Sequence, residues 1–278
     1  MIDLHAHTTA SDGELSPEAL VQRAHAAGVT HLAVTDHDTI ASVDAATEAA
    51  RALGLTLIAG IEVSAFHERR EVHILGHFVN AHHPDLIGFS ARLKTERLER
   101  MEAMVAKMQG LGFPITLEDV LAIAGDAQLG RPHLALVIVN KGYCTSTKEA
   151  FSRFLGDGRP AHVDRFKLSA EDAIRLIRTS GGSATLAHPS VSRMERYDVE
   201  RLHALGLAGL EVHHADHNPS VKQKYLGIAR ALDLVPTAGS DFHGPRVAPD
   251  RHLGTTGQMP FSDLERLEAR AHAKSESF

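Results

Sequence analysis

Residues 235–244 read VPTAGSDFHG, a short apolar run that closes on Asp241 and His243, two positions apart. Alternate residues of a strand face the same side, so this spacing aims both side chains at one point. The chain opens with the same device: MIDLHAHTTASDG (1–13) sets His5 and His7 two apart at a strand end, with Asp12 just beyond. Each such strand is coupled to an amphipathic helix. SPEALVQRAHAAG (16–28) predicts a helix with Ser16 as N-cap, Pro17 in the first position and Gly28 at the stop. HLAVTDH (31–37) predicts a strand ending at His37, followed by a helix over 39–54 that stops at Gly54. TLIAGIEVSAF (56–66) and REVHILGHF (70–78) predict two further strands, which carry Glu62, Ser64 and His73.

From Pro84 to Val163 the rhythm breaks into helix alone: a charged stretch over 85–111, then TLEDVLAIAG, PHLALVIVNKG and STKEAFSRFLG. Alternation then resumes. SAEDAIRLIRTSGG precedes SATLAHP, which ends near His188; a helix over 198–206 precedes LAGLEVHH, which ends at His213 and His214; a helix over 218–233 precedes the opening stretch, and a last helix covers about 262–273. Alternating strands and helices imply a parallel sheet covered by helices, and about seven units suit a closed or nearly closed barrel, with a doubly wound open sheet as the competing arrangement. The expected organisation is a barrel domain over 1–83 and 164–278, interrupted by a helical insertion over 84–163.

Either architecture gathers the carboxyl ends of its strands at one mouth. His5, His7, His37, Glu62, His73, His188, Asp241 and His243, with Asp12, would meet there. Burying so many polar groups without partners is costly, and a metal cluster removes that cost. Separate rim hydrogen bonds are the bland reading of the same residues. Imidazole and carboxylate ligands without thiolate suit Zn, Mn or Fe in a catalytic centre. The set exceeds the needs of one ion, and Glu62 is a carboxylate able to bridge two.

Composition narrows the function. The chain has 278 residues, a net charge of -6 with histidine neutral, 20 histidines and a single cysteine, Cys144. The negative balance argues against a broad nucleic-acid surface, so no stable DNA complex is expected. One cysteine allows no internal disulfide. No apolar run approaches the ~20 residues of a membrane span. The first strand begins at Ile2, so no leader is expected and the expected compartment is the cytoplasm. GPRVAP and GDGRP are turns rather than phosphate-cradling loops, and no serine elbow or Cys–His nucleophile is present. Arg92, Lys94, Arg97 and Arg100 interleave with Glu96, Glu99 and Glu102, which reads as a solvated helix face. Asp36 and Asp38 flank His37 and suit either orientation of ligand histidines or strand-end capping.

DLHAHT with Asp12 following, TDHDT, GIEVS, VHILGH, LAHP and GSDFHG together resemble the PHP (polymerase and histidinol phosphatase) family of metal-dependent phosphoesterases, and the motifs run through the whole chain in the family's order. The resemblance implies a distorted seven-stranded β/α barrel of the PHP type with a helical insertion. It implies three divalent metal ions, Mn first, with Zn or Fe as alternatives. The first would take His5, His7, Glu62 and Asp241; the second would share Glu62 and take His73 and His188; the third would take Asp12, His37 and His243. Glu62, Asp241 and His188 are the residues expected to serve catalysis, with water activated as the pKa of a bound molecule falls toward ~7.

The insertion and GRPHLA (130–135) look like the subgroup that removes the 3'-phosphate from nucleoside 3',5'-bisphosphates, such as pAp to AMP, with 5'-to-3' trimming of short RNA oligonucleotides as a related activity. The expected partner is therefore a small phosphorylated nucleotide. Arg131 and His133, at a predicted helix start, would grip a phosphate; His214, Asn218 and Lys222 could line the pocket. Histidinol-phosphate phosphatase remains a competitor within the family. Hydrolysis of a C–N bond is a second one, although the related amidohydrolases place a modified lysine where this chain has Glu62. A metal-stabilised binding module is the non-enzymatic alternative.

Overall fold

The computed structural model of the chain describes residues 1–125, 128–255 and 259–272. Seven strands form one sheet in chain order: Ile2–Asp3 (β1), His31–Val34 (β2), Thr56–His67 (β3), Arg70–His77 (β4), Ser183–Leu186 (β5), Gly209–His213 (β6) and Val235–Ala238 (β7). β1 to β3 pair in parallel, as do β5 to β7. The two edges meet. Ala6 bridges Phe242, Leu4 N–H donates to Ala238 O at 2.9 Å, and Asp241 N–H donates to His5 O at 2.8 Å. The sheet thus becomes a nearly closed α/β barrel.

The alternation predicts a parallel sheet throughout, and β4 departs from it by running antiparallel to both β3 and β5. Only Glu68 and Arg69 separate β3 from β4. A parallel return needs a crossover of a dozen or more residues, so two residues can only make a hairpin. This reversal is the distortion in the barrel.

The barrel helices form near where their caps and apolar spacing predict, although the helix expected over 39–54 begins only at Val43. Pro17–Ala26 (α1) starts at Ser16, whose hydroxyl accepts the Ala19 N–H, and Gly28 beyond its end adopts φ +80°, a conformation glycine tolerates. Val43–Leu53 (α2) ends at Gly54. Ala170–Thr179 (α7) buries Ala170, Ala173, Ile174 and Ile177, the i, i+3, i+4, i+7 stripe of a core-facing helix. Arg196–Ala204 (α8), Pro219–Ala231 (α9) and Phe261–His272 (α10) complete the barrel's covering; Ala273, expected in the last helix, lies outside the described residues. The core under these helices is built from residues such as Ile61, Ile74, Ile174, Leu186, Leu210 and Tyr225.

Between the two halves of the barrel come Pro84–Gly110 (α3), Leu117–Ala124 (α4), Arg131–Asn140 (α5), Thr147–Ala150 (α6) and a π-helical turn over Phe151–Leu155. Spatially the chain divides into two compact units, Met1–Ser90 with Lys167–Phe278, and Ala91–Phe166. The division falls inside α3, later than the residue 84 expected from the sequence. The first turns of α3 belong to the barrel because Leu86 and Phe89 pack in its core. The second unit has its own core of Met104, Met108, Ile115, Val120, Leu134, Ile138 and Leu155, in which Cys144 is also buried. The charged face of α3 is only partly the solvated one expected. Arg92 pairs with Glu96 at 3.6 Å, whereas Arg100 turns inward and donates from Nε to Val163 O at 2.8 Å.

Candidate metal centre

β1 ends at Asp3, but the chain stays extended past it, and the Ala6–Phe242 bridge keeps His5 and His7 on the inner side. Both rings are fully buried, with centroids 5.1 Å apart. His37 follows β2 and is tied to β3 by a bridge to Glu62. Asp241 and His243 follow β7, and His188 follows β5. Glu62 sits among them with each carboxylate oxygen facing its own set. Oε1 lies 2.8 Å from His73 Nδ1 and 3.1 Å from His188 Nε2. Oε2 lies 3.2 Å from His5 Nε2, 3.2 Å from His7 Nε2 and 3.1 Å from His37 Nδ1. Asp241 Oδ1 approaches His5 Nε2 at 3.3 Å and His7 Nε2 at 3.1 Å. Asp12, the exposed member, lies 3.3 Å from His243 Nε2.

The geometry gathers these residues into three groups whose donor atoms lie within 4.8 Å of one another: His5, His7, Glu62 and Asp241; His37, Glu62 and His73; and His7, Asp12, His37 and His243. The first is the set expected for the first ion. In the second, His37 stands where His188 was expected, while His188 still faces the same Glu62 oxygen. The third holds the expected Asp12, His37 and His243 and adds His7.

Divalent cations fit this site on the state of its buried atoms. His5 Nε2, both ring nitrogens of His7 and Glu62 Oε2 are buried without a hydrogen bond among the described residues. Leaving such groups unsatisfied costs about 1–3 kcal/mol each, whereas coordination satisfies them. The protonation pattern agrees. Burial opposes charge on His5, yet Asp241, Glu62 and Glu211 raise its pKa well above the usual range. His7 is held up at about 9 against burial by Asp241 and Glu62, and His73 at about 10 by Glu62 and Glu71. Burial raises the pKa of Glu62 and of Asp241, but the surrounding imidazoles draw both well below the usual carboxylate range. Bare, the cluster balances its carboxylates with protons on histidine. Divalent cations held by these residues would take over that balancing charge and release those protons.

Both Asp241 (φ +51°) and His188 (φ +22°) hold backbone conformations unfavourable for side-chain-bearing residues. Such strain persists only where surroundings enforce it, and here they do. Arg251, ten residues beyond Asp241, donates to Asp241 Oδ2, to its carbonyl oxygen at 3.2 Å and to Asp216 at 3.0 Å. His214 Nε2 meets the same Oδ2 at 3.3 Å. Oδ1 is thereby turned to the histidines. Sequence reasoning missed Arg251, which lies in a loop without periodicity. It also missed Glu211, a lone acid inside the mostly apolar strand β6; in a parallel strand that isolation is itself a signal.

The remaining expected site residues divide. His214 is buried at the centre, with Nδ1 accepting the Asp216 N–H at 3.1 Å. Its neighbour His213 points the other way, into a cavity of about 430 Å³ lined by Leu226, Arg230 and Asp233. A register shift between Glu211 and His213 puts Glu211 and His214, rather than Glu211 and His213, on the inner side. Asn218 caps α9 by accepting the Val221 N–H at 3.0 Å. Lys222 lies near His213, whose pKa falls through burial and then through this charge. Arg131 and His133 open α5 in the second unit: Arg131 pairs with Asp157 at 2.9 Å, and His133 Nδ1 accepts the Gly130 N–H at 3.1 Å. His77 Nε2 hydrogen-bonds Leu4 O at 2.9 Å.

A distorted β/α barrel whose mouth gathers imidazoles around a shared carboxylate is the arrangement of a metal-dependent phosphoesterase. Comparison with known proteins agrees. The PHP domain model matches residues 3–143. A 5'-3' exoribonuclease of Haemophilus influenzae is 37% identical over 247 residues, covering 87% of this chain and 90% of its own. A 3',5'-nucleoside bisphosphate phosphatase of Chromobacterium violaceum is 33% identical over 264 residues, covering 93% and 92%. A solved structure of a candidate metal-dependent phosphoesterase from Bifidobacterium adolescentis superposes with a TM-score of 0.80 at 32% identity, covering 96% of this chain and 95% of its own. The chain belongs to the PHP domain family.

Proposed function

We propose that this protein is a phosphatase that removes the 3'-phosphate from nucleoside 3',5'-bisphosphates. The observation that carries the reading is the placement of Glu62, one oxygen against His73 and His188 and the other against His5, His7 and His37. That placement suits several ions held side by side. His5, His7, Glu62 and Asp241 would hold the first, Glu62, His73 and His188 the second, and Asp12, His37 and His243 the third, with Mn as the ion that the ligand set favours. Bound divalent cations would lower the pKa of a water and offset the charge of a phosphoryl group.

The chain's own residues supply the rest. Glu62 and Asp241 are fixed as unprotonated acceptors by the imidazoles around them. Arg251 and His214 hold the outer oxygen of Asp241, so its inner oxygen keeps one direction. The preorganisation of these dipoles and charges is what acts on a phosphoryl transition state. The second phosphate of the nucleotide is where a bisphosphate differs from a simple ester. Support for this substrate comes from the Chromobacterium violaceum relative.

Trimming of short RNA from its 5' end is a second reading, favoured by the exoribonuclease names of relatives 35–37% identical to this chain. The two readings share the barrel chemistry and differ in what lies beyond the scissile phosphate. The test is phosphate and nucleotide release by manganese-loaded protein from pAp, short 5'-phosphorylated RNA, histidinol phosphate and amides. Turnover of pAp ahead of the others supports the proposal. RNA turnover far above pAp transfers the assignment to the exonuclease, and amide turnover alone overturns both.

A further inference from the structure

Glu211 lies midway along β6, fully buried, and no step described above uses it. Its two oxygens are both engaged. Oε1 accepts from His5 Nδ1 at 3.0 Å, and Oε2 accepts the backbone N–H of His188 at 2.7 Å. These partners come from opposite sides of the Glu62 carboxylate, because His5 faces Oε2 of Glu62 and His188 faces Oε1. The two rings stack with centroids 5.7 Å apart and an interplanar angle of 25°. The packing around the pair leaves no slack: a Cβ on Gly239 would lie 2.3 Å from His5 Cβ and 2.6 Å from Glu211 Oε1. A glycine in β7's continuation is therefore what lets the Glu211–His5 contact form.

We propose that Glu211 is a positioning residue that presets two ligands of the metal centre at once, the ring of His5 and the strained backbone that carries His188. The inference rests on the metal-centre reading above. By accepting from Nδ1–H, Glu211 keeps that proton on the far side of the His5 ring, so that Nε2, which faces Glu62 and Asp241, is the nitrogen free to give up its proton to a cation. By accepting the His188 N–H, it holds a residue at φ +22°, where the chain would otherwise relax and swing the ring off Glu62. A carboxylate behind a ligating histidine sets its tautomer and orientation, and losing one typically costs about 10–100-fold in metal affinity. Here one carboxylate serves two ligands, so the loss spans both sides of Glu62.

The test is Mn²⁺ binding to the metal-free full-length protein, followed by calorimetry and needing no substrate. Glu211→Gln keeps the shape but offers a single acceptor oxygen, so it can satisfy only one of the two N–H donors. The expected result is a loss of at least tenfold in affinity at two sites, with a urea unfolding midpoint that shows the variant folded. A second measurement needs no variant. In the zinc-loaded, diamagnetic wild type, long-range ¹H–¹⁵N correlation spectra should show His5 with its proton on Nδ1. Wild-type affinity in Glu211→Gln, or a His5 proton on Nε2, would overturn the inference while leaving the metal centre intact. Wild-type protein that binds no Mn²⁺ at all would sink the metal-centre reading itself.

Discussion

Asp36 makes a sharp quantitative test of how the metal mouth is held. Its carboxylate is buried, with 1% exposure, and accepts four hydrogen bonds. Thr8 N–H, Thr8 Oγ1 and Ser11 Oγ each donate at 2.7 Å, and Ser42 Oγ is the fourth. Thr8 and Ser11 lie in the segment that carries His7 and Asp12. Ser42 precedes α2 and makes no cap bond to that helix with its side chain, because its hydroxyl serves Asp36. One carboxylate thus ties together the segments flanking three candidate ligands. In Asp36→Asn the amide nitrogen would replace Oδ2, since the two hydroxyls there can turn to accept while the Thr8 N–H cannot. Hydrogen bonds to a charged acceptor are worth about 1.5–3 kcal/mol and neutral ones about 0.5–1.5 kcal/mol. Weakening four coupled bonds by roughly 1 kcal/mol each, less what the rotating hydroxyls recover, gives a loss of about 2–4 kcal/mol. Asp36→Ala, which leaves the Thr8 N–H unpaired, should lose more. Urea unfolding measures both, and the midpoint should fall without a change in slope. A loss in Asp36→Asn below about 0.5 kcal/mol, the level of an ordinary surface change, would refute the argument.

Further outcomes follow from the same geometry. Asp241→Asn should abolish phosphate release while far-UV circular dichroism stays native, because the charge facing His5 and His7 is lost and the shape is kept. Arg251→Met should lower kcat more than it raises KM, since Arg251 acts on Asp241 rather than on substrate; an unchanged kcat would remove it from the site. Chelation with EDTA should abolish turnover and lower the thermal midpoint, and added Mn²⁺ should restore both. Asp198 supplies a pH dependence away from the metals. It accepts two bonds from Arg70 and the Glu195 N–H at 2.9 Å, and the Arg70 contact, against burial, draws its pKa below the ordinary 3.8. A depressed folded pKa means the folded chain binds fewer protons than the unfolded one below neutrality. The stability it confers is therefore complete above pH 3.8 and lost as pH falls further. Wild-type stability should drop more steeply than that of Asp198→Asn over this acid range.

Much of the barrel was legible because its signals are local. The i, i+2 pairs His5/His7 and Asp241/His243 announce one inward face, and Ser16, Pro17 and Gly28 mark a helix with its ends. The reversal of β4 was less legible, since alternation of strand and helix says nothing of direction where a two-residue turn replaces the helix. The split between His213 and His214 was hidden for another reason. A single extra residue in β6 changes which side each faces, and no residue type betrays it. Glu211 was readable in principle as an acid stranded among apolar strand residues. Arg251 was not, because its partner Asp241 is reached through the path of a loop rather than through any spacing. Which donors group together also escaped the sequence, since His7 and His37 each belong to two of the three groups and only distances show it.

Glu62 would lie between cations at the barrel mouth. Crystals soaked in Mn²⁺ and measured at the manganese absorption edge test this directly. Anomalous peaks should lie within coordination distance of both Glu62 oxygens, one also touching His5, His7 and Asp241. Manganese bound elsewhere, with no peak beside Glu62, would contradict it.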